Sequence, residues 1–547
     1  MTNNPLWRWF DDIFLDIGRQ FRWSYLPPLM VYLAAGVSGL TSIVGTFFIK
    51  DYLDLSAAFL AGLAFWAGIP WTLKMPIGHL VDLIWRRKAF LVYIGASLIA
   101  ISILLMYGII AHTATMATFM KVEAWFVIAT ILAPTGYVLQ DVVADAMTVE
   151  AVPSIDEQGN PYPERDIKMM HTTMQTLGRA AIIGGFVSVA MLNVTLFDGV
   201  ESMSEAAKVD VYAKIYLLAL IIPLISIFGV ILGGVLLRRR ASQMEALGHD
   251  HSSIDKLLFA PAAETSPNWW ILVGSLVFAI FTVSMGVSDV PLAQEIIFIG
   301  SMTIVLFLMS RLLLELEPQA RKILVGTAII IFVFRATPLP GPGVTWFEID
   351  VLGFDQQFLS VLSLIASALT LLGMFVLRPM MAKRSIAFVI VALTLAAGLL
   401  SLPNIGLYYG IQGWTSALTG GVVDAHFIAL IDTALESPLG QIAMIPMLAW
   451  IAQNAPPHLK ATFFAVMASF TNLALSASSL GTRYMNEIYT VTREVRERVT
   501  DVIETSADYN QLGMLLITAS LIGLCLPLLT VWLIQRSPLR SHQKESA

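Results

Sequence analysis

Long apolar segments recur along nearly the whole chain, and they constrain its fold more than any other feature. Windows of about 20 mostly apolar residues, each long enough to cross a hydrocarbon core of about 30 Å, follow one another from residue 29 to residue 535. Within lipid, only helices and closed barrels satisfy all their backbone polar groups. Barrel strands read as alternating segments of about 10 residues, and this pattern is absent. The sequence therefore predicts an all-α polytopic membrane protein.

The composition agrees with a lipid environment. Of 547 residues, 57% are hydrophobic and only 13% are charged, which is unlike a soluble domain. We expect the lipid bilayer as a partner and no nucleic acid. The single cysteine, Cys525, excludes a disulfide within the chain. Residues 1–28 are too polar for a signal peptide, and their apolar residues recur at helical spacing, which predicts an amphipathic segment on the membrane surface; a disordered tail is the alternative.

Hydropathy divides the chain into fourteen predicted spans. They fall at 29–49, 57–80, 89–110, 124–147, 170–196, 213–237, 269–288, 291–310, 322–340, 356–378, 386–402, 424–451, 461–484 and 512–535. Polar stretches group them into an N-terminal six-helix bundle (29–237), a linker (238–268), an inserted two-helix hairpin (269–313), a C-terminal six-helix bundle (314–535) and a tail (536–547). We call residues 29–237 the N-terminal half and residues 314–535 the C-terminal half.

The distribution of Lys and Arg predicts the orientation of these spans. Most basic residues of the connecting segments fall on one side when both termini are placed in the cytoplasm, and cytoplasmic loops carry such an excess. One long external connection, 483–510, is highly charged. Its pairs Arg493 with Glu497 and Glu494 with Arg498 have the spacing of neighbours on a helix, which predicts a helical extension of the adjoining spans.

Several charged residues lie inside these apolar spans or at their edges. A charge near the bilayer centre costs about 2.5–3.5 kcal/mol on insertion scales, so such residues usually face a cavity or pair with each other. They are the candidates for function: Lys74, Asp82, Asp141, Asp145, Arg179, Arg335, Asp432 and Glu436.

Asp141 and Asp145 are four residues apart, which places both on one face of the fourth helix. Two close carboxylates in a poorly solvated site raise the proton affinity of at least one of them, so the pair is a candidate proton-coupling site. The structural alternative is an ion pair with Lys74 or with a loop arginine. Asp432 and Glu436 repeat the spacing in the C-terminal half, and Asp432 is a second candidate for proton coupling.

Three basic residues, Lys74, Arg179 and Arg335, lie within the spans. If they converge on one cavity they suit an anionic solute, since carboxylates and phosphates are matched by such donors. The alternative is that each neutralises a neighbouring acid. We find no nucleophile motif, metal-ligand cluster or Gly-rich phosphate-binding loop, so we expect no enzymatic activity and no cofactor.

Two motifs in the N-terminal half resemble a known family. The stretch "WTLKMPIGHLVDLIWRRKAF", residues 71–90, resembles the loop signature of the major facilitator superfamily. Taken with "QDVVADAMTVE", it is similar to the folate-biopterin transporter family, which has a Lys-Pro-type turn and two aspartates four apart. In the C-terminal half, "FVFRATPLPG" at 332–341 and residues 430–476, including Gln441, resemble later helices of the same family. Lys460 and Val81 depart from its pattern.

The resemblance implies a major facilitator fold that works by alternating access. It implies a monomeric symporter in a bacterial plasma membrane, which moves a folate or pterin together with protons. Lys74, Arg179, Arg335 and Gln441 would bind the solute. A cytoplasmic gate would join the loop between helices two and three to the end of helix four through Gly78, Asp82, Arg86, Arg87, Asp145 and Glu150.

Two other functions fit the same residues. One is a major facilitator permease for another anionic metabolite, such as a peptidoglycan fragment or a nucleotide-like molecule. The other is a non-transport membrane protein that delivers a cofactor or pigment during assembly. Charged residues inside the spans of both halves favour a translocation path, because a scaffold has no need of them.

Overall fold

The computed structural model describes residues 21–53, 55–153, 162–259, 290–314, 316–376, 385–439, 460–496 and 503–540, with isolated positions between 269 and 285. These residues are mostly helical, with two short strands. Three predicted features lie wholly or largely outside the described residues: the surface segment at 1–28, the first helix of the inserted hairpin, and Gln441.

The helices up to the linker begin and end as follows: α1 Leu26–Val37, α2 Ser42–Tyr52, α3 Ala57–Thr72, α4 Lys74–Leu83, α5 Ala89–Ala111, α6 Thr113–Phe119, α7 Val122–Ala151, α8 Glu164–Leu196, α9 Glu205–Ala219, α10 Ile221–Ala246 and α11 His251–Leu258.

The later elements are α12 Ala293–Leu313, α13 Pro318–Arg335, α14 Gly343–Asp350, α15 Gln356–Val376, α16 Ile386–Tyr408, α17 Ile411–Leu418, α18 Ala425–Glu436, α19 Lys460–Ile488, strands β1 Val495–Arg496 and β2 Ile503–Thr505, and α20 Leu512–Gln535.

Helices long and apolar enough to cross a membrane confirm the predicted polytopic helical class. Within the described ranges there are nine such segments, with a shorter apolar helix at Ala293–Phe307. Six of the nine overlap the six spans predicted for the N-terminal half: Trp23–Lys50, Ala57–Leu83, Ala89–Ala111, Val122–Ala151, Leu177–Ser202 and Glu205–Ala246. The total of fourteen spans and the division into two bundles stay predictions.

The second predicted span is interrupted in its middle, and the interruption places a charge. α3 ends at Thr72 and α4 begins at Lys74, with Leu73 between them. Pro70 and Pro76 flank this point, and neither ring nitrogen donates a helical hydrogen bond. The break puts Lys74 at the first position of α4.

Small residues bring the helices of the N-terminal half into close contact. A methyl group added to Gly36 in α1 would lie 2.1 Å from the Ile182 carbonyl oxygen of α8. At the crossing of α5 and α7, a methyl group on Gly95 would lie 2.6 Å from the Gly136 carbonyl oxygen. Close approach of backbones at small residues is a common way for helices to pack in membranes. These crossings fix α1, α7 and α8 around the candidate site.

Two helix pairs carry much of the contact between the halves: α3 packs on α19, and α8 packs on α15. The Ser469 hydroxyl donates to the Thr72 carbonyl oxygen at 3.3 Å, and the Asn472 amide donates to the Trp71 carbonyl oxygen at 3.2 Å. The described part of α19 therefore lies next to the break that carries Lys74.

The inserted helix α12 contacts both halves. The Gln294 side-chain nitrogen donates to the Gly62 carbonyl oxygen of α3 at 3.2 Å. Its side-chain oxygen accepts a bond from Arg483 of α19 at 3.1 Å. A single amide thus bridges the N-terminal and C-terminal halves.

The prediction of a helical extension at 483–510 is wrong. α19 ends at Ile488, and the chain continues into the antiparallel strands β1 and β2, with a further bridge between Thr492 and Asp508. β-Branched residues at 491, 492 and 495 favour extended backbone. Arg493 is buried against the N-terminal half instead of lying on a solvated helix. Its predicted partner Glu497, and Arg498, lie outside the described residues.

Candidate functional site

Lys74 lies between the two aspartates of α7. Its ammonium nitrogen is 2.5 Å from Asp141 Oδ2 and 2.8 Å from Asp145 Oδ2. The side chains of Lys74 and Asp141 are 22% and 18% exposed, whereas that of Asp145 is 48% exposed. Asp141 is therefore the more desolvated acid, and Asp145 lies closer to the edge of the cluster.

The surrounding helices add a hydroxyl and a second cation. The Tyr32 hydroxyl of α1 donates to Asp145 Oδ1 at 2.6 Å. Arg179 of α8 interacts electrostatically with Tyr32 and Asp141. We call Tyr32, Lys74, Asp141, Asp145 and Arg179 the Lys74 cluster. Two cations and two acids from three helices, with a hydroxyl from a fourth, thus meet at one place.

A buried amide holds α7 beside this cluster. Gln140, next to Asp141, donates to the Val92 carbonyl oxygen of α5 at 3.4 Å and accepts from the Ser226 hydroxyl of α10 at 2.9 Å. Gln140 is 2% exposed. These bonds fix the rotation of α7 about its axis, and with it the direction in which Asp141 points.

The structure brings together four of the residues singled out in the sequence: Lys74, Asp141, Asp145 and Arg179. The structural alternative considered for the aspartates, an ion pair with Lys74, is present. Sequence reasoning missed Tyr32, because a single tyrosine in an apolar span carries no charge to mark it. The bonds of Gln140 were missed for the same reason.

Arg335 occupies a different environment at the end of α13. Among the described residues it forms no ion pair, and its Nη1 is buried without a hydrogen-bond partner. Residues 336–342, which follow Arg335, are not helical, and α14 begins after them. An incompletely satisfied guanidinium within a membrane protein is a candidate for binding an anion.

A second group of acids lies in the C-terminal half. Asp432 of α18 accepts a bond from Asn404 of α16 at 3.0 Å, and its other oxygen is buried without a hydrogen-bond partner in the parts of the chain that the structure describes. Glu436, one turn along α18, and Glu348 of α14 both interact electrostatically with Asp432. Glu348 was missed in the sequence, since its helix follows the helical break and lies beyond the predicted span.

The loop between α4 and α5 contacts the end of α7, but through a residue that was not expected. Lys88 donates to Glu150, and its ammonium lies 4.0 Å from the centre of the Trp85 ring. Burial lowers the pKa of Lys88, and the Glu150 carboxylate opposes that shift. The resemblance implied a cluster of Asp82 and Arg86 or Arg87 with one acid of helix four, either Asp145 or Glu150. Arg86 instead pairs with Asp255 in α11 of the linker.

The remaining gate candidates take other positions. Asp82 and Arg87 are exposed and form no ion pair with a described residue, and Asp145 is bound within the Lys74 cluster. Gly78 faces α7, where an added methyl group would lie 3.9 Å from a Val142 methyl. In the described parts of the chain no three His, Cys, Asp or Glu side chains are grouped as metal ligands.

The helical architecture and the charged interior define a polytopic membrane protein of the transporter class. A model of the BT1 family matches residues 35–546, and the chain belongs to this family. The Folate-biopterin transporter of Synechocystis sp. (strain ATCC 27184 / PCC 6803 / Kazusa) is 22% identical over 479 residues, which cover 87% of this chain and 76% of that protein.

The fold of this chain is similar to that of solved major facilitator transporters. A POT family transporter in complex with 5-aminolevulinic acid superposes with a TM-score of 0.59 at 12% identity, covering 93% of this chain and 95% of that one. Peptide transporter POT in complex with sulfate gives 0.57 at 13% identity, with 94% of both chains covered. Nucleoside transporter NupG gives 0.51 at 13% identity, covering 94% of this chain and 100% of that one.

Proposed function

We propose that this BT1 family transporter moves a small anionic organic solute, a folate or pterin, by proton-coupled alternating access. The observation that carries the proposal is the position of Lys74 between Asp141 and Asp145. The identity of the solute is supported by the family and by the name of the Synechocystis relative.

Coupling follows from competition for the lysine. While both aspartates are ionised, they neutralise Lys74, and an incoming carboxylate gains little from it. A proton bound to Asp141 removes one competitor and frees a donor on Lys74 for the solute. Release of the proton restores the ion pair and displaces the anion. Proton and anion therefore favour each other's binding, as a symporter requires.

Arg335 is the proposed anchor from the C-terminal half. Its Nη1 has no hydrogen-bond partner among the described residues, which leaves it available to a carboxylate, and a planar guanidinium matches a carboxylate with two parallel bonds. Arg179 supports the anion from α8, and Gln441 is proposed to line the same path. Asp432, with Glu348 beside it, is the proposed second proton-binding group.

The loop between α4 and α5 is proposed as the gate on the side of the termini. Gly78 lets α4 slide against α7, and Asp82, Arg86, Arg87, Asp145 and Glu150 supply charges that can exchange partners as the halves move. The Lys88 to Glu150 bond adds a sixth charge to this group. Both termini are proposed to be cytoplasmic, in a bacterial plasma membrane, and the chain to act as a monomer.

Uptake into membrane vesicles tests the function. Labelled folate and a reduced pterin are offered with and without an imposed proton gradient, to the natural chain, to Asp141→Asn, and to a control, Asp210→Asn, which changes an exposed acid. We expect gradient-dependent uptake that is lost in Asp141→Asn and kept in Asp210→Asn.

Other outcomes separate the parts of the proposal. Uptake of folate or pterin at the same rate with and without the gradient contradicts proton coupling but supports the proposed solute. Uptake of a peptidoglycan fragment or a nucleotide, with no uptake of folate or pterin, contradicts the proposed identity of the solute but not the proposed transport mechanism. Failure to move any anionic solute by correctly folded protein favours a role in membrane assembly.

A further inference from the structure

At one end of the molecule an arginine of the C-terminal half reaches the N-terminal half. Arg493, in the segment between α19 and α20, is 3% exposed. Its Nε donates to the Lys50 carbonyl oxygen at 2.7 Å, and its Nη1 donates to the Leu55 carbonyl oxygen at 2.5 Å. A side chain of the C-terminal half thus binds the backbone of the N-terminal half at two points.

The positions of these two carbonyl groups explain why they accept hydrogen bonds from an arginine side chain. Lys50 lies in the last turn of α2, where carbonyl groups lack helical donors and where the negative end of the helix dipole is located. Leu55 lies in the short connection before α3. A guanidinium offers several donors in a fixed plane and keeps its charge, so one residue serves both groups.

One neighbouring contact joins the same two halves, and two others lie within the C-terminal half. The centre of the Trp346 ring in α14 lies 4.7 Å from the Arg493 guanidinium carbon, within cation–π distance. Lys50 forms an ion pair with Asp350 at the end of α14, at 2.5 Å. The Tyr509 hydroxyl donates to the same Asp350. A cation from each half is thus bound by the other half.

The position of Arg493 depends on the hairpin that contains it. Strands β1 and β2 and the Thr492–Asp508 bridge pair the described residues 492–496 with 503–508. A cavity of about 350 Å³ lies beneath, lined by Leu55 and Phe59 from one half and by Val495 and Thr505 from the other. The polar contact made by Arg493 therefore borders open space.

We propose that Arg493 is a latch: its bonds to Lys50 and Leu55 hold this end of the transport path closed, and they must break before the path opens there. The latch residues differ from the Lys74 cluster, so the proposal goes beyond the proposed function and does not depend on the solute or on protons. α3 and α4 join the connection that contains Leu55 to the loop that contains Lys88, so the latch and that loop lie at opposite ends of this span.

Cysteine accessibility tests the latch. The natural chain has one cysteine, so a Cys525→Ser background is free of others. Two reporters are introduced separately: Val495→Cys, buried in the hairpin, and Leu359→Cys, in the first turns of α15, which packs against the apolar cluster of the N-terminal half. Lys214→Cys, exposed at the same end, verifies that a membrane-impermeant maleimide reaches this side.

The labelling rate of each reporter is compared with and without Arg493→Gln. Because the variant loses hydrogen bonds made by a charged donor, we expect both reporters to be labelled about tenfold faster in the variant. The control is Arg536→Gln, which removes an exposed arginine that also lies over a tryptophan ring, Trp532, but joins no two halves. It should leave both rates unchanged.

Two results overturn the proposal. Faster labelling of Val495→Cys alone means that Arg493 only fastens the hairpin. Unchanged labelling rates at both reporters mean that Arg493 does not keep this end of the path closed. If Arg493→Gln does not fold, Arg493→Lys is used instead. Lysine keeps the charge and the aliphatic part of the side chain but lacks the planar donors. The labelling rates of the same two reporters then test the proposal.

Discussion

The ammonium group of Lys74 lies within 2.8 Å of both Asp141 and Asp145, so one cation is shared by two carboxylates. This arrangement ties α4 to α7 through charge. Both carboxylates also compete for the donors of this one ammonium group.

Lys74→Gln leaves the two acids without their shared cation. Breaking a partly buried ion pair from one side leaves an uncompensated charge, so we expect a loss of about 1–3 kcal/mol in stability and loss of uptake. The double variant Lys74→Gln with Asp141→Asn removes one acid as well and should melt higher than Lys74→Gln alone. Melting of the purified protein in detergent measures both. A double variant that is less stable than either single one contradicts the shared-cation account.

Tyr32→Phe removes the hydroxyl that donates to Asp145 at 2.6 Å. A hydrogen bond to a charged acceptor contributes about 1.5–3 kcal/mol, and the exposure of Asp145 lets water replace part of it, so the fall in stability should be smaller than for Lys74→Gln. Tyr93→Phe changes an exposed tyrosine in α5 and is the matched control. Equal melting temperatures for Tyr32→Phe and Tyr93→Phe contradict a structural role for this bond.

Gly36→Ala tests the crossing of α1 and α8. The new methyl group would lie 2.1 Å from the Ile182 carbonyl oxygen and 2.9 Å from the Gly185 α-carbon, so the helices must separate. Overpacking of this kind costs about 1–3 kcal/mol or more, and it would also move Tyr32 away from Asp145. Gly184→Ala is the control, because nothing lies within 4 Å of its added methyl group. We expect a lower melting temperature for Gly36→Ala alone.

The bond from Tyr509 to Asp350 should resist alkaline pH. Burial, followed by the interaction with Asp350, raises the pKa of Tyr509 well above its usual range. A raised pKa of an acid favours its neutral form, so this contribution to stability is present below the ordinary tyrosine pKa of about 10 and is lost only at higher pH. The difference in melting temperature between the natural chain and Tyr509→Phe should therefore be equal at pH 7 and pH 9. A difference that shrinks at pH 9 would show that the hydroxyl ionises earlier.

Much of the fold could be predicted from the sequence because hydropathy is summed over about 20 residues and tolerates local exceptions. The charged residues of the Lys74 cluster were found for a related reason, since each stands out in an apolar span. Their pairing was not predictable in detail: the spacing of Asp141 and Asp145 defines a helical face, but the break at Leu73 decides that Lys74 meets it.

The paired strands β1 and β2 lie where the local sequence pattern gave a wrong prediction. Charges four residues apart indicated a helix, yet the conformation of Arg493 depends on carbonyl groups at Lys50 and Leu55, more than 430 positions away along the chain. Likewise, three basic residues follow one another at 86–88, and only the packed structure selects Lys88 as the partner of Glu150. Tertiary contacts override local preference in both places.

Arg335→Lys and Arg335→Gln test the proposed anchor for the solute. Loss of a guanidinium that binds a carboxylate with two bonds should raise the KM for uptake about tenfold or more, with a smaller change in the maximal rate. Lysine keeps the charge but offers no planar pair of donors, so it should recover only part of the affinity. Arg536→Gln, at the exposed end of α20, should leave the KM unchanged. Because Arg335 forms no ion pair with a described residue, its removal should not lower the melting temperature; a large fall there, with an unchanged KM, would assign Arg335 to structure instead of solute binding.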